Sequence, residues 1–109
     1  MLLLIPSKVY FDNQFLYIQW RDGKECKFDL LNLRRYCPCA QCRGGHEIRA
    51  NRITLDIKEA KLVRIKKVGR YAIGLVWEDG HDSGIYTYES LRYFCDENKE
   101  YRPPGEEDD

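Results

Sequence analysis

The chain contains no apolar run near the ~20 residues that a membrane-spanning helix requires. Its apolar start, Met1 to Ile5, lacks a basic leader and is broken by Pro6, so neither an anchor nor a signal peptide is expected. Histidine is limited to His46 and His81. Neither sign of charge is in excess, since 18 Lys and Arg balance 18 Asp and Glu, and any charged surface must therefore be local. Cysteine is sparse outside one short stretch, and its total of five is odd. A secreted disulfide scaffold would carry an even set spread along the chain, so a reducing, cytoplasmic compartment is expected.

What is present points to one packed domain. Two Trp, eight Tyr and four Phe in 109 residues argue against disorder, and a chain of this length can bury a core without a metal. The densest chemistry is Cys37-Pro38-Cys39-Ala40-Gln41-Cys42, three thiols in six residues. Thiols spaced C-x-C-x-x-C pair with one another only under strain, but a tight loop shaped by Pro38 can turn all three toward one point. Zinc is the usual occupant of such a point, bound by thiolates at about 2.3 Å and closed tetrahedrally. A fourth ligand is needed. Spacing alone favours His46, four residues after Cys42, over the distant His81. Three thiolates and a neutral imidazole around zinc leave a net charge of about −1, which Arg34, Arg35 and Arg43 lie close enough in sequence to offset.

The remaining sequence reads as hairpins and two short helices, an α+β domain. Residues 9–11 and 15–20 form one hairpin, with Leu16, Ile18 and Trp20 on a shared face. Asp22-Gly23 signals a two-residue turn into a strand at 25–28, and Asp29 is a helix N-cap for residues 30–36. After the polar connection opened by Gly44-Gly45, Ile53, Leu55 and Ile57 alternate as a strand, followed by strands near 63–66, 71–77 and 83–86. Tyr88, Leu91, Phe94 and Cys95 fall on one helical face ending at residue 97. The domain is thus set at 1–97, with 98–109 as an acidic, disordered tail. There is also an internal echo. Trp20-x-Asp22-Gly23 recurs as Trp77-x-Asp79-Gly80, and Leu33-Arg34-x-x-Cys37 recurs as Leu91-Arg92-x-x-Cys95. A duplicated hairpin–helix unit is one explanation; recurrence of common turn and helix residues is the other.

The stretches Trp20-Arg21-Asp22-Gly23 and Leu33-Arg34-Arg35-Tyr36 with the cysteine loop resemble the N-terminal domain of gamma-butyrobetaine hydroxylase and trimethyllysine hydroxylase. Val68-Gly69-Arg70-Tyr71-Ala72 and Trp77-Glu78-Asp79-Gly80-His81-Asp82-Ser83-Gly84-Ile85-Tyr86 are similar to small stand-alone members of that family. The likeness spans roughly residues 5–96. It implies one structural zinc held by Cys37, Cys39, Cys42 and His81, reversing the preference that spacing gives. Cys26 and Cys95 have no place in that set and are read as small buried hydrophobes. The hydroxylases also carry an iron(II) domain with two His and one carboxylate; two histidines and no H-x-D cannot supply it here, so no enzyme of that type is expected.

Three functions follow as expectations. The first is a non-catalytic zinc domain that contacts protein partners, or serves as accessory to a metabolic or metal-handling enzyme. The family's resemblance to a domain appended to iron–sulfur scaffold ATPases makes cluster assembly one such setting. The second is an iron or iron–sulfur carrier, against which the compact C-x-C-x-x-C spacing argues. The third is a nucleic-acid module using residues 34–70, where eleven Lys or Arg face three acids for a local charge of +8. Exposed hairpin edges leave a homodimer open.

Overall fold

The computed structural model describes residues 4–38, 57–82 and 84–102. Strands β1 (Pro6–Phe11), β2 (Phe15–Trp20) and β3 (Glu25–Asp29) form an antiparallel sheet in the order β1-β2-β3 and lead directly into helix α1 (Leu30–Arg35). Strands β4 (Leu62–Val68), β5 (Ala72–Trp77) and β6 (Gly84–Thr87) repeat this arrangement and lead into α2 (Tyr88–Asp96). The α+β expectation holds, as two three-stranded sheets and two helices among the described residues.

Period-two patterning explains the first sheet. In β2 the buried positions are Leu16, Ile18 and Trp20, and in β3 they are Cys26 and Phe28, so one face is apolar. β5 is apolar almost throughout and buried along most of its length, as expected of a central strand. The helices cover these faces with Leu30 and Leu33 from α1, and Tyr88, Leu91 and Phe94 from α2. Thr87 caps α2 by accepting a hydrogen bond from the Ser90 amide at 3.2 Å. Asp29 stands at the N-cap of α1 without a side-chain cap bond.

The turns are built differently from the two-residue reading. Trp20 donates its amide to the Lys24 carbonyl at 2.8 Å, and Gly23 donates to Trp20 at 3.0 Å, enclosing residues 21–23. Gly23 takes φ 97°, the backbone region that a glycine-bulge loop requires. The second turn is its copy: Trp77 to His81 at 2.9 Å, Gly80 to Trp77 at 3.0 Å, and Gly80 at φ 92°.

The likeness extends through the pairing register. Ile18 faces Val9 on one side and Cys26 on the other, while Leu75 faces Ile65 and Gly84. Both first strands carry a register irregularity at the matching point, between Pro6 and Lys8 and between Leu62 and Arg64. The halves then exchange contacts reciprocally. Arg34 of α1 pairs with Asp79 of the second turn at 3.0 Å, and Arg92 of α2 pairs with Asp22 of the first turn at 2.9 Å. Such i-to-j and j-to-i contacts are those of an isologous, two-fold interface. The sequence echo is therefore a structural repeat.

Other expectations change. The strand expected at Ile53, Leu55 and Ile57 falls mostly outside the described residues, and Ile57 itself is not in a strand. Tyr101, in the stretch assigned to the tail, is 1% exposed and packs against Tyr86 and Phe94. Asn32 donates to its carbonyl at 3.2 Å, so the chain remains part of the core beyond residue 97. Cys26 and Cys95 are not separate buried hydrophobes. They form a disulfide joining β3 to α2, with Cα atoms 5.9 Å apart.

Candidate metal centre

Helix α1 ends at Arg35 with Tyr36 as its C-cap, and Cys37 follows with its amide donating to the Arg34 carbonyl at 3.3 Å. The leucines that seat α1 on the core thereby carry Cys37 inward, where it is fully buried. The other half brings His81. Its backbone is held on both sides, the amide donating to Asp79 Oδ1 at 3.0 Å and the carbonyl accepting from Trp77. Cys37 Sγ and His81 Nε2 lie 3.1 Å apart across 44 residues of sequence. That is hydrogen-bonding distance, somewhat shorter than the roughly 3.5 Å between a sulfur and a nitrogen ligand on tetrahedral zinc.

Charges around this corner suit such a role. Arg34, 8% exposed, directs Nε and Nη2 to Asp79 Oδ2 at 3.1 and 3.0 Å. Burial pushes the Asp79 carboxyl upward, and the His81 amide and Arg34 outweigh it, leaving its pKa below the ordinary value. Burial, with Arg34 beside it, lowers the His81 pKa and favours the neutral imidazole that coordinates metals. Tyr86 is fully buried and donates its hydroxyl to the Leu33 carbonyl at 2.7 Å. Burial first, and then neighbouring Cys37, pushes its pKa well up, so it stays a protonated donor.

Two further residues shape the corner. A Cβ added at Gly84 would lie 2.6 Å from Cys37 Sγ and 3.1 Å from Tyr86 Cε1. Only glycine leaves room for that sulfur. Trp77 Nε1 is buried with no hydrogen-bond partner among the described residues.

Of the sequence-predicted ligands, Cys37 and His81 are brought together, while Cys39, Cys42 and His46 lie outside the described residues. Among the described residues no group of three or more metal-capable side chains occurs. Sequence reasoning missed Asp79, Gly84 and Tyr86 as parts of this corner. The repeated Trp-x-Asp-Gly signal flagged Asp79, but nothing in the sequence says that its partner is the arginine of the other half. The basic segment is also less uniform than its charge suggests, since Arg34 is buried on Asp79 and Arg35 Nε donates to the Ile57 carbonyl at 2.8 Å.

These features define a small α+β domain of two strand–strand–strand–helix halves, with a cysteine and a histidine converging between them. The chain belongs to the gamma-butyrobetaine hydroxylase-like N-terminal family, whose model matches residues 8–92. A protein of unknown function in the DUF971 family from Acidithiobacillus ferrooxidans has a similar crystal structure, with 30% identity and a TM-score of 0.60. That match covers 83% of this chain and 91% of the other. Two solution structures share the fold: one at 24% identity and TM-score 0.64, covering 87% of this chain and 71% of the other. The second has 21% identity and TM-score 0.60, covering 96% and 94%. No curated protein matches. No helix among the described residues is long and apolar enough to cross a membrane.

Proposed function

We propose that this chain is a non-catalytic domain that holds one structural zinc through Cys37, Cys39, Cys42 and His81. It works through protein contacts, as an accessory to a metabolic or metal-handling enzyme. The observation that carries this reading is the 3.1 Å approach of Cys37 Sγ to His81 Nε2 from opposite halves of the fold. A metal there would tie the end of α1 to the turn before β6, closing a long loop rather than clipping a local one. Four protein ligands close a zinc site, so its chemistry is structural: it fixes the halves and leaves no position for a substrate. Burial of Arg34 on Asp79 supports this reading over the nucleic-acid one, because that cation serves the corner and not a surface.

Elemental analysis and native mass spectrometry of untagged protein test the proposal. One zinc per chain, with unfolding on chelation, is the expected result. Iron with acid-labile sulfide would replace it with a cluster carrier, and a metal-free folded protein would remove the zinc altogether.

A further inference from the structure

The repeat equates two corners of the molecule. By register, Cys37 at the end of α1 corresponds to Cys95 near the end of α2, and Gly84 of β6 corresponds to Cys26 of β3. In one corner the Gly84 position is empty of side chain, and Cys37 Sγ fills the space beside it. In the other the equivalent position carries a second sulfur, and Cys26 is bonded to Cys95. The indoles mirror this difference. Trp20 Nε1 donates to Cys26 Sγ at 3.2 Å, whereas the equivalent Trp77 Nε1 has no partner among the described residues. His81 likewise corresponds to Lys24, which lies 3.7 Å from Asp96 and is no metal ligand as a cation. The same architectural slot is thus closed once by a cysteine–histidine pair and once by a cysteine–cysteine pair.

We propose that Cys26 and Cys95 are a thiol–disulfide exchange site, a redox-governed staple and the metal-independent counterpart of the Cys37–His81 corner. Low-molecular-weight disulfides are the co-reactant. Cys26 is 5% exposed, Cys95 is only partly buried, and both line one surface cavity. Oxidation therefore begins at Cys95. Its thiolate attacks the small disulfide RSSR, forming Cys95–S–S–R and releasing RS⁻. The Cys26 thiolate then attacks the Cys95 sulfur, forming Cys26–Cys95 and releasing the second RS⁻. Two electrons pass from the protein to RSSR, and the protons of the two cysteine thiols end on two RSH. Excess RSH runs the exchange backwards and removes the covalent link between α2 and β3. The bridge spans 69 residues of sequence, so closing it restricts the unfolded chain strongly.

The test equilibrates the full chain with mixtures of reduced and oxidised glutathione, then alkylates under denaturing conditions and maps peptides. Trypsin places Cys26 in 25–27, Cys95 in 93–99 and the loop cysteines in 36–43, so a Cys26–Cys95 link is read separately from events at the metal loop. The expected result is a 25–27/93–99 linked peptide that appears and disappears reversibly with the glutathione ratio. Oxidation should also raise the melting temperature by roughly 10 °C or more in the wild type and leave Cys95→Ser unchanged. Alkylation of both cysteines at every ratio overturns the proposal, as does equal melting of the linked and unlinked wild-type protein. A metal-free loop is open to the same oxidant and registers instead as glutathione adducts or disulfides within peptide 36–43, so failure of the zinc reading is distinguishable from failure of this one.

Discussion

Replacing His81 with alanine is expected to lower zinc affinity by about two orders of magnitude or more, while His46→Ala leaves it within a few-fold. Changing a residue that merely orients a ligand weakens metal binding by roughly 10- to 100-fold, and removing a ligand should do at least that. By linkage, a hundredfold weaker metal forfeits about 2.7 kcal/mol of ligand-derived stability at a fixed excess of zinc. The asymmetry between the histidines is the discriminating part. His81 has its backbone pinned by Asp79 and Trp77 and its Nε2 3.1 Å from Cys37 Sγ. Its alanine variant leaves that sulfur without the partner contributed by the other half. Competition with a chromogenic chelator, read beside thermal melting, measures both quantities. Equal losses in the two variants would contradict the assignment of His81, and a larger loss at His46 would restore the local-loop alternative.

Gly84→Ala is expected to destabilise the domain by roughly 1–3 kcal/mol and to weaken zinc binding with it. The new methyl would sit 2.6 Å from Cys37 Sγ, a separation that buried atoms do not tolerate, and Tyr86 closes the other side at 3.1 Å. Cys37 is completely buried, so its sulfur can yield only by turning away from His81 or by shifting the end of α1. Gly74→Ala is the matched control. A Cβ there meets Lys66, Val68 and the Gly84 carbonyl at 3.5–3.6 Å, ordinary van der Waals contact in a neighbouring strand. Gly74→Ala should therefore leave metal affinity unaltered. Denaturant unfolding and zinc titration of the two variants check this. A Gly84→Ala protein that binds zinc as tightly as Gly74→Ala would show that Cys37 does not need its present position.

Much of this architecture was legible in the sequence because it follows from local chemistry. Alternating Leu16, Ile18 and Trp20 can bury one face only as a strand, and Asp-Gly pairs announce turns that need a positive φ. The repeat was visible as Trp-x-Asp-Gly and Leu-Arg-x-x-Cys, since turn and helix-exit residues are constrained by backbone geometry. Its symmetry was not visible. The pairing of Arg34 with Asp79 and of Arg92 with Asp22 depends on how the halves dock, and no periodicity along one chain encodes that. The Cys26–Cys95 bridge was missed for the same reason: two lone cysteines 69 residues apart look alike whether they meet or merely pack. For the proposed metal corner, spacing pointed to His46, because loop proximity is all that spacing measures. Family resemblance pointed to His81, whose position beside Cys37 arises from docking one half on the other.

The ligands around the proposed zinc are what hold the two halves in register at this corner. X-ray absorption at the zinc edge of the untagged protein reads that shell. The predicted result is three sulfurs near about 2.3 Å and one nitrogen near about 2.0 Å, with the nitrogen lost in His81→Ala and retained in His46→Ala. A shell of four sulfurs, a shell of oxygens and nitrogens alone, or a nitrogen that survives His81→Ala would contradict it.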